Sequence, residues 1–139
     1  MSKDNIVTSR YQITHVRNGV LRCEILTDLV FTQALAHEIF DTCNQMVECK
    51  HGILWIMNKK IIPDSKVMDA FAHPSRCERV KAEAFCLGNP TLMHLANFYV
   101  KLKKPAVKSR NFTDEKQATD WLLKECVPLT VKAKTTSLS

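Results

Sequence analysis

The sequence predicts an α/β fold: a mixed β-sheet with an N-terminal β-hairpin and a parallel centre, in the order ββαβαβαβα. Three observations predict it. "GILWIM" and "AEAFCLG" are short, continuously apolar runs, as expected of central strands buried on both faces. Stretches with apolar residues every three to four positions alternate with those runs, and such alternation implies helices connecting parallel strands. Ahead of both, "RYQITHVRNGVLRCEIL" reads as a hairpin around Asn18-Gly19.

The hairpin's register follows from its apolar face. A two-residue loop, Asn18-Gly19, would place Ile13 opposite Glu24. A three-residue loop, Arg17-Asn18-Gly19, pairs Val16 with Val20 and aligns His15 with Leu21, Ile13 with Cys23, and Tyr11 with Ile25. The second choice gathers the apolar residues on one face, and Gly19 can take the left-handed position the loop requires, so the longer loop is expected. Next, "TQALAHEIFDTCNQMVECK" carries Leu35, Ile39, Cys43 and Met46/Val47 on one stripe, with Thr32 as N-cap. Ile53 to Asn58 is the first buried strand and Lys59 to Pro63 a loop. Ser65 to Ala72 form a short helix, and Pro74 interrupts it while starting a further turn at "PSRCERV". "AEAFCLG" ends at Gly88. Asn89-Pro90 opens a helix with Leu92, Leu95, Ala96, Tyr99 and Leu102 inward. "AVKSRNF" is an edge strand. Thr113 caps the last helix, with Asp114 and Glu115 at its positive dipole end and Ala118, Trp121, Leu122 and Cys126 as its stripe.

A chain of 139 residues, 45% hydrophobic and 24% charged, fits one domain with a real core. Residues 1–130 are expected to form it and 131–139 a flexible polar tail. "MSKDNIVTSR" has no apolar signal-peptide core, and the longest apolar runs fall well short of the ~20 residues of a membrane helix. A cytoplasmic protein is expected. The six cysteines include no C-x-x-C pair and fall mostly at apolar positions, so they read as free structural thiols. Residues 1–69 carry eight basic and eight acidic side chains, and residues 70–139 twelve and six, so the whole +6 lies in the second half. Five of those cations stand in "KLKKPAVKSR". A helix end and a lysine-protected edge strand explain them better than a nucleic-acid or lipid surface, and no nucleic-acid partner is expected.

The second half, "LANFYVKLKKP" followed by "RNFTDEKQATDWL", resembles bacterial STAS-like domains, the small proteins similar to sporulation anti-sigma-factor antagonists. The resemblance rests on Ala96-Asn97-Phe98, Lys104-Pro105, Arg110, Phe112, Asp114-Glu115, Ala118, Trp121 and Leu122, over about residues 88–123; the first half agrees in element order. It implies a STAS-like fold, no established enzymatic activity, and partners bound through the helix that follows Asp64. Phe98 and Trp121 are expected in the core, and Asn97 as a cap or cross-link to a neighbouring loop.

The resemblance also bears on Asp64-Ser65. In anti-sigma antagonists Asp-Ser-small-Gly at a helix N-terminus carries the phosphorylated serine; here Lys66 and Val67 stand in place of the small residue and glycine. Asp64 or Ser65 acting as helix cap is the expected role, with a phospho-switch at Ser65 as the alternative.

Signals for catalysis are weak. There is no glycine-rich phosphate loop, and the chain has three glycines. His73 and Cys77, followed by Glu78, are spaced for one helix face, but Pro74 lies between them, so no metal is expected. Cys49-Lys50-His51 lacks an orienting acid for an activated thiol. No enzyme and no cofactor are expected. The leading expectation is a non-catalytic regulatory or interaction module with Lys66, Val67, Met68 and Phe71 as partner surface, binding a protein partner or itself, for instance as a homodimer. The alternative is a binder of a small apolar or lipid-like ligand, by analogy with CRAL-TRIO lipid-transfer proteins. An apolar pocket of several hundred Å³ favours the second, and a solid core with an exposed apolar patch beside Val67, Met68 and Phe71 favours the first.

Overall fold

The computed structural model describes residues 4–102 and 105–126, with 98–102 described by backbone alone. Its chain order is β1 (Asn5–Val7), β2 (Tyr11–Arg17), β3 (Val20–Ile25), β4 (Leu29–Phe31), α1 (Gln33–Met46), β5 (His51–Met57), β6 (Ile61–Pro63), α2 (Val67–Ala72), a 3-10 turn (Pro74–Glu78), β7 (Val80–Leu87), α3 (Pro90–Leu102), β8 (Lys108–Phe112) and α4 (Glu115–Glu125). The fold is α/β, with a six-stranded mixed sheet ordered β1-β2-β3-β5-β7-β8. The β1-β2-β3 edge is antiparallel, while β3, β5, β7 and β8 run parallel.

The expected pairings of Tyr11 with Ile25, Ile13 with Cys23 and His15 with Leu21 form, but the loop between them differs. Asn18 (φ 51°) and Gly19 (φ 75°) make a two-residue turn, whose twist matches that of the strands. Arg17 therefore pairs with Val20, and an irregularity between His15 and Arg17 absorbs Val16. A bulge lets a tight turn and an inward apolar face coexist, a combination that a register argument without bulges excludes.

Three short strands depart from the expected order. β1 extends the antiparallel edge, and β4 pairs in parallel with β6 as a separate two-stranded sheet. Residues 61–63, expected as loop, are thus a strand. Strands of three residues are too short to show a period.

The two long parallel strands at the centre divide the core. Along β5, Ile53, Trp55 and Met57 point to one face and Leu54 and Ile56 to the other. Along β7, Glu83, Phe85 and Leu87 share the first face, and Ala82, Ala84 and Cys86 the second. An irregularity opposite His51 and Gly52 keeps Val80 on the first face as well. Helices α1, α2 and α3 contribute to the first core; α4 packs on the second with Ala118 and Leu122 fully buried.

Caps fix where the helices begin. Thr32 Oγ1 accepts the Leu35 N–H (3.1 Å), and Asn89 Oδ1 accepts that of Thr91 (2.9 Å), both as expected. For α4 the cap is Asp114 rather than Thr113: its Oδ2 accepts the Gln117 N–H (3.1 Å). A carboxylate there also meets the helix dipole. At the other end of α1, the Arg79 guanidinium donates to the carbonyls of Asn44 (2.8 Å) and Val47 (2.5 Å), which the helix itself leaves unpaired.

Candidate functional site: an apolar cavity over a buried ion pair

On the α1–α3 side of the sheet, five rings form one cluster. Trp55, fully buried, lies parallel to Phe85 (centroids 6.2 Å, interplanar 5°) and meets Phe71 edge-on at 5.4 Å. Phe40 reaches Phe71 at 5.3 Å, and Phe31 is 5.9 Å from both Trp55 and Phe71. Tilted arrangements of this kind suit the ring quadrupoles.

Into this cluster the chain places two opposite charges. Arg76, from the 3-10 turn, and Glu83, from β7, are both buried. Arg76 Nη1 donates to Glu83 Oε1 (2.6 Å) and Nη2 to Oε2 (2.7 Å), a two-pronged pairing; Trp55 Nε1 adds a third bond to Oε2 (2.9 Å). The guanidinium carbon lies 4.0 Å from the centre of the Phe40 ring and 5.1 Å from that of Phe71. Burying both charges is tolerable because each is paired and hydrogen-bonded. Sequence reading passed over this pair. Its signal was a lone glutamate inside the apolar run "AEAFCLG", since an acid there needs a buried cation.

Above the pair lies a cavity of about 600 Å³. Its walls come from β4, β6, α2, α3 and the C-terminal ends of β5 and β7, with Phe31, Met57, Val67, Phe71, Phe85 and Leu92 as the main apolar surface. Glu83 is part of its lining, and Asn97, Ser109 and Asn111 add polar groups on the β8 side. Of these, Asn111 Nδ2 donates to Asn97 Oδ1 (2.8 Å), so Asn97 cross-links α3 to a strand where a loop was expected. Ser109 Oγ donates to the Val107 carbonyl (2.9 Å).

The residues singled out from sequence distribute as follows. Asp64 Oδ1 accepts the N–H groups of Lys66 (2.9 Å) and Val67 (2.8 Å), so the aspartate caps the turn leading into α2, and Ser65 is exposed beside it. The helix begins at Val67, two residues later than expected. Of the four residues expected on a partner surface, Val67 and Phe71 are buried and line the cavity with half-buried Met68, while Lys66 is exposed. Ala96, Asn97, Pro105 and Arg110 line the same cavity. Phe112 and Trp121 pack on the α4 face, ring centres 5.8 Å apart, with the Arg110 guanidinium 5.1 Å from the Phe112 ring. The side chains of Phe98, Tyr99 and Leu102, together with Lys104 and the tail at 131–139, lie outside the described residues. Two cations of the basic stretch have partners on this face: Arg110 over Phe112, and Lys108, whose Nζ meets Glu125 at 3.0 Å.

The sites weighed for catalysis are apart from the cavity. His73 Nδ1 accepts the Ser75 N–H (3.2 Å), whereas Cys77 Sγ donates to the Ala106 carbonyl (2.9 Å). His51 is fully buried, with Nδ1 3.4 Å from the carbonyl oxygen of Cys49 and Nε2 without a partner among the described residues. Burial, reinforced by the nearby guanidinium of Arg79, lowers its pKa to about 4. The cysteines are free; burial raises the thiol of Cys43 to about 12 and that of Cys126 to about 11, which leaves them unreactive at neutral pH. Among the described residues no group of three His, Cys, Asp or Glu is placed to hold a metal, and no helix is long and apolar enough to cross a membrane.

Residues 14–125 match the family model described as a domain of unknown function, DUF7793. The chain belongs to that family. No curated protein and no solved structure matches it.

Proposed function

We propose that this domain is a non-catalytic binder of a small apolar ligand, held in the cavity between α2, α3 and the sheet. One observation carries the proposal: about 600 Å³ of mostly apolar space over an ordered floor, in the size range of small-molecule sites. Among the described residues that line it, Glu83 and Arg110 are the titratable ones, and both side chains have partners, Arg76 with Trp55 and Phe112 respectively. Neither is presented as a free acid or base, which supports binding over chemistry. The parallel-centred sheet and the location of Ala96, Asn97, Pro105 and Arg110 at the cavity support a STAS-like kinship, with these residues shaping a ligand site. A cytoplasmic location belongs to the same proposal.

The test is direct. Protein purified under native conditions is titrated with Nile red, a neutral apolar dye, and its solvent extract is analysed by mass spectrometry. Saturable dye fluorescence or a co-purifying apolar molecule is expected. A protein that leaves the dye in water and carries nothing in the extract contradicts the proposal.

A second reading, a protein-interaction module near α2, draws on one observation. Val30 and Ile62, opposite each other in β4 and β6, are 53% and 51% exposed. Size exclusion with light scattering tests the simplest form, a homodimer; a monomer at high concentration counts against it.

A further inference from the structure

The cavity has one polar feature at its floor, and that feature is chemically one-sided. Glu83 lines the cavity while Arg76 does not. A carboxylate offers about four acceptor positions. Arg76 and Trp55 fill three of them, two on Oε2 and one on Oε1. Among the described residues, what the floor offers a ligand is thus one remaining acceptor position on Oε1, and no donor. The aromatic and aliphatic walls around it offer a charge little solvation, which raises the penalty for any charge a ligand brings to the floor.

These facts discriminate between head groups. A carboxylate or phosphate head seated there would meet a second negative oxygen and find no donor from the pair, since Arg76 is not among the lining residues. The guanidinium of Arg110, which does line the cavity, lies over the Phe112 ring on the α4 face. A cation would leave its hydration shell to enter beside a charge that Arg76 already neutralises. A neutral group with one O–H or N–H completes the carboxylate's bonding without adding charge, and a hydrogen bond to a charged acceptor is among the stronger ones.

We infer that the cavity selects neutral, apolar molecules bearing a single hydrogen-bond donor, an alcohol or phenol in the simplest case, with the donor seated on Glu83 Oε1. The inference rests on the ligand-binding role proposed above and specifies its chemistry. Fatty acids and other anionic lipids are then poor ligands despite an apolar wall that suits their chains.

Three probes of nearly the same shape test it on the unmodified protein: 1-naphthol, 1-methoxynaphthalene and 1-naphthoate, titrated at pH 7.5 by calorimetry. 1-Naphthol should bind about tenfold or more tightly than 1-methoxynaphthalene, which lacks the donor, and 1-naphthoate weakest. Equal affinities for naphthol and its methyl ether, or tighter binding of naphthoate, overturn the inference and leave the apolar site standing. No binding by any of the three overturns the site itself. The double variant Arg76→Met/Glu83→Leu, which removes both charges together and keeps apolar volume, should bind 1-naphthol and its ether about equally. If a folded double variant keeps the preference, the donor is not seated on Glu83; if the variant does not fold, the naphthol-to-ether ratio of the unmodified protein decides.

Discussion

The two faces of the central strands are built from alternate residues of the same segments, yet they pack in opposite ways. Toward α4, β5 and β7 present Gly52, Ala82 and Ala84 beside Leu54, Ile56 and Cys86, and Ala118 lets the helix approach closely. A methyl group added at Gly52 would stand 2.5 Å from Cys126 Sγ and 3.2 Å from Leu122 Cδ2, so that interface is closed. Toward α2 and α3 the same strands present Trp55, Glu83 and Phe85, and a cavity remains. The shortness of α2 explains part of the difference. The six residues of α2 span ~9 Å of axis, whereas the seven of β5 extend ~23 Å, so α2 covers less than half of the strand beneath it. Small residues opposite α4 make a seal; rings beneath the short α2 leave room.

Four substitutions or conditions break or sharpen that contrast. The largest effect should follow Glu83→Ala, which strands the buried Arg76 charge: a loss of about 3–5 kcal/mol in urea unfolding, against little change for the paired Arg76→Met/Glu83→Leu variant. Next comes acid. Burial holds His51 near pKa 4 in the folded protein, below the ordinary histidine value of about 6.5, so the unfolded chain takes up this proton first as pH falls. His51 should therefore withdraw up to about 3 kcal/mol of stability between pH 6.5 and 4, with no further loss below. Stability curves of His51→Gln should be flatter over that window; an unchanged slope would assign the acid sensitivity elsewhere.

On the sealed face, Gly52→Ala should cost about 1–3 kcal/mol through overpacking, and Cys126→Ala in the same chain should restore part of it. On the open face, Ala96→Leu extends into the cavity and should change stability by less than about 0.5 kcal/mol, while weakening Nile red binding. If Ala96→Leu destabilises as much as Gly52→Ala, the two faces do not differ in the way described.

How far the sequence announced this architecture depends on the signal each element carries. Continuous apolar runs located β5 and β7, and the three-to-four spacing of Leu35, Ile39 and Cys43 located α1. The caps at Thr32 and Asn89 were legible because the residue type alone suffices. Thr113 was misassigned because the adjacent Asp114 competes for the same amides, and chain direction at that turn decides between them. The bulge at Val16 and the β4–β6 pair depend on tertiary context. The cavity was least legible of all. The STAS-like resemblance makes Val67 and Phe71 a partner surface, and only the fold shows them facing inward. The Arg76–Glu83 pair was missed because its members are joined across a turn and a strand, with no fixed spacing that marks them.

The contrast itself is open to one direct measurement. Methyl NMR spectra of the protein under xenon pressure report dry apolar space residue by residue, since xenon enters such cavities without needing a polar partner. The account predicts shifts that saturate with pressure at Met57, Leu87 and Leu92, and unmoved methyls at Leu54, Ile56 and Leu122. Shifts of similar size on both faces, or none at Met57, Leu87 and Leu92, would contradict it.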